Sequence, residues 1–425
     1  MVLLAGTLFS QSASAQFWKR KEPRARKGRY ANKYPIRPAA PKNKTKAEKV
    51  KKKRVLEYPE TVKKNRYRID ILVPLYLDEL VKNGKLTYKG KVPEKYSNAV
   101  GFYEGIKMAA DTLARLDYNA DIYVHDITLP ATTAEKLISS DSLAKSDLII
   151  GFVSNPQVAV VAKYAQSRQI NFISAFSPFD AGITDNPYFI LLNPTLQSHC
   201  EFLVSHLVKK HPKDEVLLYH RSKVALDSTA YNLLSKGKDL KHITNVACDK
   251  QPDSTQLDSL IGEETNVVVL MAVMDNAYAE TLLKQLRDQF PEKNFEVYGM
   301  PSWKNVTSTK KMTELGPRIT INMTQPYYFD PAVSSGLALS NVYKKQFGGK
   351  PSETTYRGFE TVYWFTDLLS KYGTIFNEKT NDDGMAPFTR FDIKPQWDED
   401  NNFYYNENRH LYIYRYQGGT VLVEQ

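Results

Sequence analysis

The sequence predicts an α/β protein, with two doubly wound parallel-sheet lobes joined by a hinge and preceded by a disordered basic leader. Three observations predict it. From Arg68 onward apolar strand-like runs alternate with helical periodicity, the pattern restarts after Leu192, and the excess positive charge is confined to the first 68 residues.

The N-terminus comes first. MVLLAGTLFSQSASAQ has a short apolar run ending in Ala13-Ser14-Ala15, the small-x-small pattern of signal-peptidase cleavage. Residues 1–16 are therefore expected to be a cleavable signal peptide, and the mature protein to be periplasmic or otherwise exported. No positive residue precedes the apolar run, so the true start is expected upstream of Met1. With no Cys beside the cleavage point, a bacterial lipoprotein anchor is not expected.

The net charge of +11 would by itself suggest an anionic partner for the whole surface. Its distribution argues otherwise. Residues 17–68 hold 21 Lys and Arg against 4 Asp and Glu, while the rest of the chain holds 37 against 43, so the body is mildly acidic. Residues 17–67 are rich in Lys and Pro and cannot bury enough apolar surface to offset their ordering entropy; they are expected to be disordered. Two readings of residues 17–66 stand side by side. One is a solvated spacer, and the other an electrostatic tether to peptidoglycan or another anionic envelope surface. Nucleic acid is not an expected partner, because an exported protein rarely meets it and Trp18, Tyr30 and Tyr34 are too few to interleave the basic run with stacking platforms. No later run reaches the roughly 18 apolar residues that a membrane span needs.

The body then alternates. The strand RIDILVPL is followed by the helix SNAVGFYEGIKMAADTLARL, with Tyr103, Ile106, Ala110 and Leu113 on one face. DIYVHD, a short helix near Ala134 to Leu143, and DLIIGF come next. In LIIGFVSNPQVAVVAKYAQSRQINFISAFSP, Asn155 can cap a helix and Pro156 fits its first turn, with Val158, Val161, Ala162 and Ala165 on the apolar face. After NPYFILLNP the pattern begins again with a helix from Thr195 to His211, then EVLLYH, ITNVAC, NVVVLMAV, FEVYGM and RITINM as strands. Near-continuous Val, Ile and Leu runs mark strands covered on both faces. The helix YRGFETVYWFTDLLSKY is too apolar to be solvated and is expected to return to the first lobe. The expected division is residues 68–193 with 326–375 in lobe one and 194–325 with 376–425 in lobe two, hinged near Leu192 to Pro194 and Thr324 to Tyr328. FYYNENRHLYIYRY reads as a finishing edge element. Cys200 and Cys248 read as two separate buried thiols, with a disulfide between them as the alternative that an oxidising compartment permits.

In such sheets ligands sit beyond the carboxyl ends of the strands. That places Ser154, Asn155, Ser174 and Ser177 in lobe one, at a helix start whose free N–H groups and hydroxyls suit a small polar solute. In lobe two it places His220-Arg221-Ser222, Met274-Asp275-Asn276 and Met300-Pro301-Ser302-Trp303. Arg221 and Asp275 are candidates for a charged pair that reads a zwitterion, and Trp303 for a stacking platform or a core residue. His199 and His206 are too far apart on one helix to share a metal. The chain has no H-E-x-x-H, C-x-x-C, G-x-S-x-G, G-x-G-x-x-G or phosphate-binding loop. The expectation is a protein with no catalytic residues, metal or cofactor.

The ordered set IDILVPLY, FYEGIKMAADTL, IIGFVSNPQVAVVAKYA, ISAFSP and NPYFILLNP resembles the type I periplasmic binding proteins, the leucine-binding-protein-like receptors that serve ABC importers. It is most similar to a Bacteroidetes branch often fused to LysM peptidoglycan-binding modules; here the basic leader occupies that place. The resemblance covers residues 68–425 and implies a two-lobed receptor with an ABC permease as partner. It further implies that Ser154 and Ser177 hold a ligand carboxylate, although Pro178 stands where a Thr commonly follows. The acidic anchor usual in the last lobe-two loop is absent, and Asp275 is the residue that could substitute. Two functions follow: a solute-binding protein for an amino acid, peptide or cell-wall fragment, and an envelope scaffold with a degenerate cleft.

Overall fold

The computed structural model describes residues 56–237, 240–329, 334–381 and 387–424; the expected signal peptide and the leader as far as residue 55 lie outside them. The first sheet is built from β1 (Tyr67–Val73), which leads through α1 (Leu77–Leu80) and a short hairpin, β2 (Val81–Lys82) and β3 (Lys85–Leu86), to α2 (Glu94–Arg115). Then follow β4 (Ala120–Asp126), α3 (Ala134–Ser139), β5 (Leu148–Gly151), α4 (Asn155–Arg168), β6 (Asn171–Ser174) and β7 (Phe189–Leu191). The second sheet begins after α5 (Leu196–Lys210) with β8 (Val216–His220), α6 (Ala225–Ser235), β9 (Ile243–Ala247), α7 (Ser254–Ile261) and β10 (Asn266–Ala272). It continues with α8 (Asn276–Gln289), β11 (Asn294–Tyr298), α9 (Thr309–Leu315) and β12 (Ile319–Gln325). After it come α10 (Ser334–Phe347), α11 (Glu353–Tyr372), β13 (Ile393–Trp397), β14 (Phe403–Asn408), β15 (Tyr412–Gln417) and β16 (Thr420–Glu424).

The two seven-stranded sheets have the same logic. Their orders are β13-β14-β7-β6-β5-β1-β4 and β16-β15-β12-β11-β10-β8-β9, so β1 and β8 each lie at the point where the winding reverses. The pairings among β1, β4, β5, β6 and β7, and among β8 to β12, are parallel. The strands β5, β6 and β7 are buried at every residue, as expected for parallel strands covered on both faces. No helix among the described residues is long and apolar enough to cross a membrane.

Four expectations are corrected here. Residues 393–408 do not join lobe two: β14 pairs with β7 in parallel and β13 pairs antiparallel with β14, which adds both to the first sheet. FYYNENRHLYIYRY is therefore two strands in different sheets, because Arg409 to Leu411 form a third crossing between lobes. Residues 56–66 are not free leader. Thr61 Oγ1 donates to the Tyr372 carbonyl at 2.8 Å and Thr374 N–H to the Val62 carbonyl at 3.0 Å, while Lys64 pairs with Asp147 at 2.5 Å. On α2 the buried stripe is Phe102, Ile106, Ala109 and Leu113, whereas Tyr103 is exposed.

Lobe one is closed by α11 lying on α2, and glycine makes that contact possible. A Cβ on Gly105 would stand 2.1 Å from the Thr355 carbonyl oxygen, and one on Gly358 would stand 2.2 Å from the Phe102 carbonyl oxygen. The expected return of this helix to the first lobe is what the packing shows; Val362, Phe365, Leu368 and Leu369 share a core with Ile71, Phe102 and Ile106.

The three crossings are tied together by polar bonds. Glu407, buried on β14, accepts the Thr195 N–H at 2.8 Å and the Thr195 hydroxyl at 3.1 Å at the start of α5. A carboxylate at a helix N-terminus also meets the positive end of its dipole. Arg409 donates to Ser198 Oγ at 2.8 Å and pairs with Glu201, and Tyr414 Oη donates to the Tyr327 carbonyl at 2.9 Å. Cys200 and Cys248 are buried and unpaired, and burial pushes both thiols up to about 12.

Gly105→Ala is expected to force α2 and α11 apart and to lower stability by about 1–3 kcal/mol or more, as overpacking does. A urea denaturation midpoint unchanged from wild type would refute this account of the helix contact.

Candidate ligand cleft

The carboxyl ends of the first sheet's strands carry the lobe-one ledge. Gly151 ends β5, and Ser154 begins α4 through its pairing with Gln157: both the Ser154 N–H and its hydroxyl donate to Gln157 Oε1, at 3.0 and 2.8 Å. The next residue joins two loops. Ser177 Oγ donates to Asn155 Oδ1 at 2.7 Å and accepts the Phe179 N–H at 3.1 Å, which holds the loop after β6 against the start of α4. Ser174, at the end of β6, is fully buried and its hydroxyl has no partner. Of the predicted lobe-one residues, Ser154, Asn155 and Ser177 are thus brought into one connected ledge, and Ser174 lies within the sheet below it.

Lobe two departs further from expectation. Arg221 follows β8, but its Nε donates to Asp227 Oδ2 at 2.5 Å and its guanidinium lies 4.4 Å from the centroid of the Tyr278 ring. Asp227 is fully buried and also accepts the Met274 N–H at 2.9 Å, so its charge answers Arg221 inside the lobe. Asp275 is exposed and caps α8 by accepting the Tyr278 N–H at 2.9 Å. Arg221 and Asp275 therefore converge on Tyr278 without pairing with each other, and the guanidinium expected to read a ligand is already neutralised. Trp303 resolves to its core alternative. It is fully buried, its Nε1 donates to the Val273 carbonyl at 2.7 Å, and it packs beside Gly299, where a Cβ would stand 2.3 Å from the indole.

The structure adds a cluster that the sequence reading had left inside an apolar helix. Arg357, on α11, is buried; its guanidinium lies 3.7 Å from the centroid of the Tyr327 ring and 6.0 Å from that of Phe176. Phe176 belongs to the loop after β6, between the ledge serines, and Phe152 meets it edge-on with centroids 4.1 Å apart. Tyr327 is on the second crossing and donates to the Ala175 carbonyl at 3.3 Å. One turn before Arg357, Glu353 accepts its Nη2 and also accepts Lys304 Nζ at 3.2 Å. Lys304 follows Trp303 in lobe two, so this ion pair spans the lobes. The Glu353 side chain is 45% exposed, so the partial desolvation that would push its carboxyl up is outweighed by the charges of Arg357 and Lys304, which hold it below the usual carboxylate range. The signal was present in the sequence: Glu353, Arg357 and Glu360 fall at helical spacing on a helix otherwise rich in aromatics.

A family model described as a periplasmic binding protein matches residues 104–392. This chain belongs to the periplasmic binding protein family. Among solved structures, a candidate branched-chain amino acid ABC transporter protein from Rhodospirillum rubrum is 11% identical, covers 84% of this chain and 100% of its own, and has a TM-score of 0.60. An ABC transporter substrate-binding protein from Desulfitobacterium hafniense, in complex with Leu, is 12% identical with the same coverages and a TM-score of 0.52. The C-domain of LpoA from Haemophilus influenzae, described as a regulator of PBP1A, is 11% identical, covers 84% of this chain and 100% of its own, and scores 0.51. At these identities the likeness is one of fold. No curated protein matches this chain.

A further titrating group lies on α11. Glu360 is fully buried one turn after Arg357 and accepts the N–H groups of Phe388 and Thr389. Burial pushes its carboxyl up to about 7, against those bonds and the Arg357 charge. An acid raised on folding binds its proton more tightly in the native state, so stability falls as pH rises from about 4.5 through about 7 and then levels. The melting temperature of Glu360→Gln relative to wild type is therefore expected to rise between pH 5 and pH 8; a constant difference would refute the assignment. Trp303→Ala is expected to cost about 3–5 kcal/mol of stability. If Trp303 were instead a ligand platform, denaturation would be nearly unchanged and only affinity would fall.

Proposed function

We propose that this protein is a non-catalytic, exported solute-binding protein whose two lobes close over a small polar ligand at the carboxyl ends of their sheets. The observation that carries this reading is how little joins the lobes near the ledge among the described residues. Three chain crossings form the hinge, and the ion pair that spans the cleft, Lys304 with Glu353, has both side chains 45% exposed. Exposed ion pairs contribute at most about 1 kcal/mol, so opening is cheap and a ligand that touches both lobes can decide the equilibrium. Its differential affinity for the closed form is the signal or the hand-off state, and an ABC permease is the partner that such a state would serve. Amino acids, short peptides and cell-wall fragments are the ligand classes that a ledge of hydroxyls, an amide and a helix start would suit.

A second reading, an envelope scaffold, is favoured by one observation. Arg357, Phe176 and Tyr327 occupy the ground between the ledge and α11 with the protein's own side chains. The LpoA domain from Haemophilus influenzae supports it as a case in which this fold belongs to a regulator of another protein. The strap at Thr61 and Val62 meets the turn after α11, near the amino ends of β1 and β6. A leader tethered from there to an anionic surface would leave the cleft end of the molecule unobstructed.

Thermal melts of the full chain with amino acids, short peptides and muropeptides separate the two. A ligand at 100 times its Kd adds about 2.7 kcal/mol, and stabilisation by one class of these compounds is the outcome expected of the receptor. A flat screen, together with salt-sensitive cosedimentation with envelope fractions that disappears on deleting residues 17–55, would establish the scaffold instead.

A further inference from the structure

We infer that Arg357, and not the serine ledge, is the carboxylate anchor of the cleft, and that the ligand is a small molecule with a free carboxylate that displaces Glu353. This rests on the solute-binding reading above and names the chemistry of its ligand.

A carboxylate only accepts hydrogen bonds, so its site must supply donors. The hydroxyls of the ledge have already spent their protons. The Ser154 hydroxyl donates to Gln157 and the Ser177 hydroxyl to Asn155, which leaves neither proton for an incoming oxygen. The Ser174 hydroxyl is buried within the sheet. Arg357 is the opposite case. Its side chain is 8% exposed, yet its Nε has no hydrogen-bond partner, and among the described residues its one hydrogen bond goes to Glu353. Burying a guanidinium donor without a partner is costly, and sites that do so commonly complete the pairing with a planar anion in two parallel bonds.

The surroundings fit that role. The Tyr327 ring lies 3.7 Å from the guanidinium and holds its plane, while Phe176, half-buried at the carboxyl end of β6, flanks it at 6.0 Å. The second cation, Lys304, comes from lobe two. Arg357 and Lys304 share the half-exposed carboxylate of Glu353, so a ligand carboxylate that replaced it would touch both lobes as Glu353 now does. That substitution would couple binding to closure: the same anion that satisfies Arg357 would also hold Lys304 across the cleft.

The test uses the full chain and a panel of the L-amino acids and short peptides, each as the free acid and as its C-terminal amide, with affinities from titration calorimetry and melts. Compounds that bind are expected to do so as acids, with the amides weaker by about tenfold or more. Arg357→Gln is expected to weaken acid binding by about tenfold or more, and Arg357→Lys to restore part of it. Because a buried substitution can unfold the lobe, the exposed Lys304→Met provides an independent arm. It is expected to fold as wild type, to weaken acid binding about threefold and to flatten its salt dependence. Equal binding of acid and amide, or unchanged acid affinity in folded Arg357→Gln or in Lys304→Met, overturns the anchor while leaving the receptor reading intact. Binding of no compound in either form overturns the receptor reading and the anchor with it.

Discussion

The approach of α11 to α2 is the contact on which the arrangement of this molecule turns. Gly105 and Gly358 let the two helix backbones come so close that a single added carbon on either would strike the other's main chain. Glycine in a helix costs about 1 kcal/mol against alanine, and the burial of Val362, Phe365, Leu368 and Leu369 against the first sheet offsets it. The contact recruits a helix from late in the chain into the lobe that the chain built first. It thereby obliges the polypeptide to cross between lobes, and it sets the start of α11, with Glu353 and Arg357, beside the carboxyl ends of the lobe-one strands.

The hinge shows a different use of polar groups. Glu407 and Arg409 stand at the third crossing and bond to the first turns of α5, so the first and third crossings are fastened side by side. Both bonds join residues more than 200 positions apart in sequence. Polar bonds thus fasten the crossings to one another. Near the ledge, among the described residues, the exposed ion pair of Lys304 with Glu353 spans the two lobes, each of which has its own core.

Much of the fold was legible because its signals are local. Parallel strands covered on both faces read as unbroken Ile, Val and Leu runs, and IIGFVSNPQVAVVAKYA shows its strand, turn and helix in one window. The serine ledge was legible for the same reason, since a strand end and a helix start fix where Ser154, Asn155 and Ser177 stand. The lobe-two site was less legible. Whether Arg221 faces a ligand or Asp227, and whether Trp303 faces a cleft or a core, depends on rotamers and on Gly299 and Val273, which pattern does not reveal.

By itself the sequence determined the alternating elements, the two cores, the acidic body and the basic segment before it, because periodicity and charge are properties of neighbouring residues. Tertiary structure alone decided the third crossing, which splits FYYNENRHLYIYRY between two sheets, and the placement of residues 393–408. It also decided the meeting of Lys304, Glu353, Arg357, Tyr327 and Phe176. These residues come from separate parts of the chain, and only the packing of α11 on α2 and the return through the hinge bring their charges and rings within reach of one another.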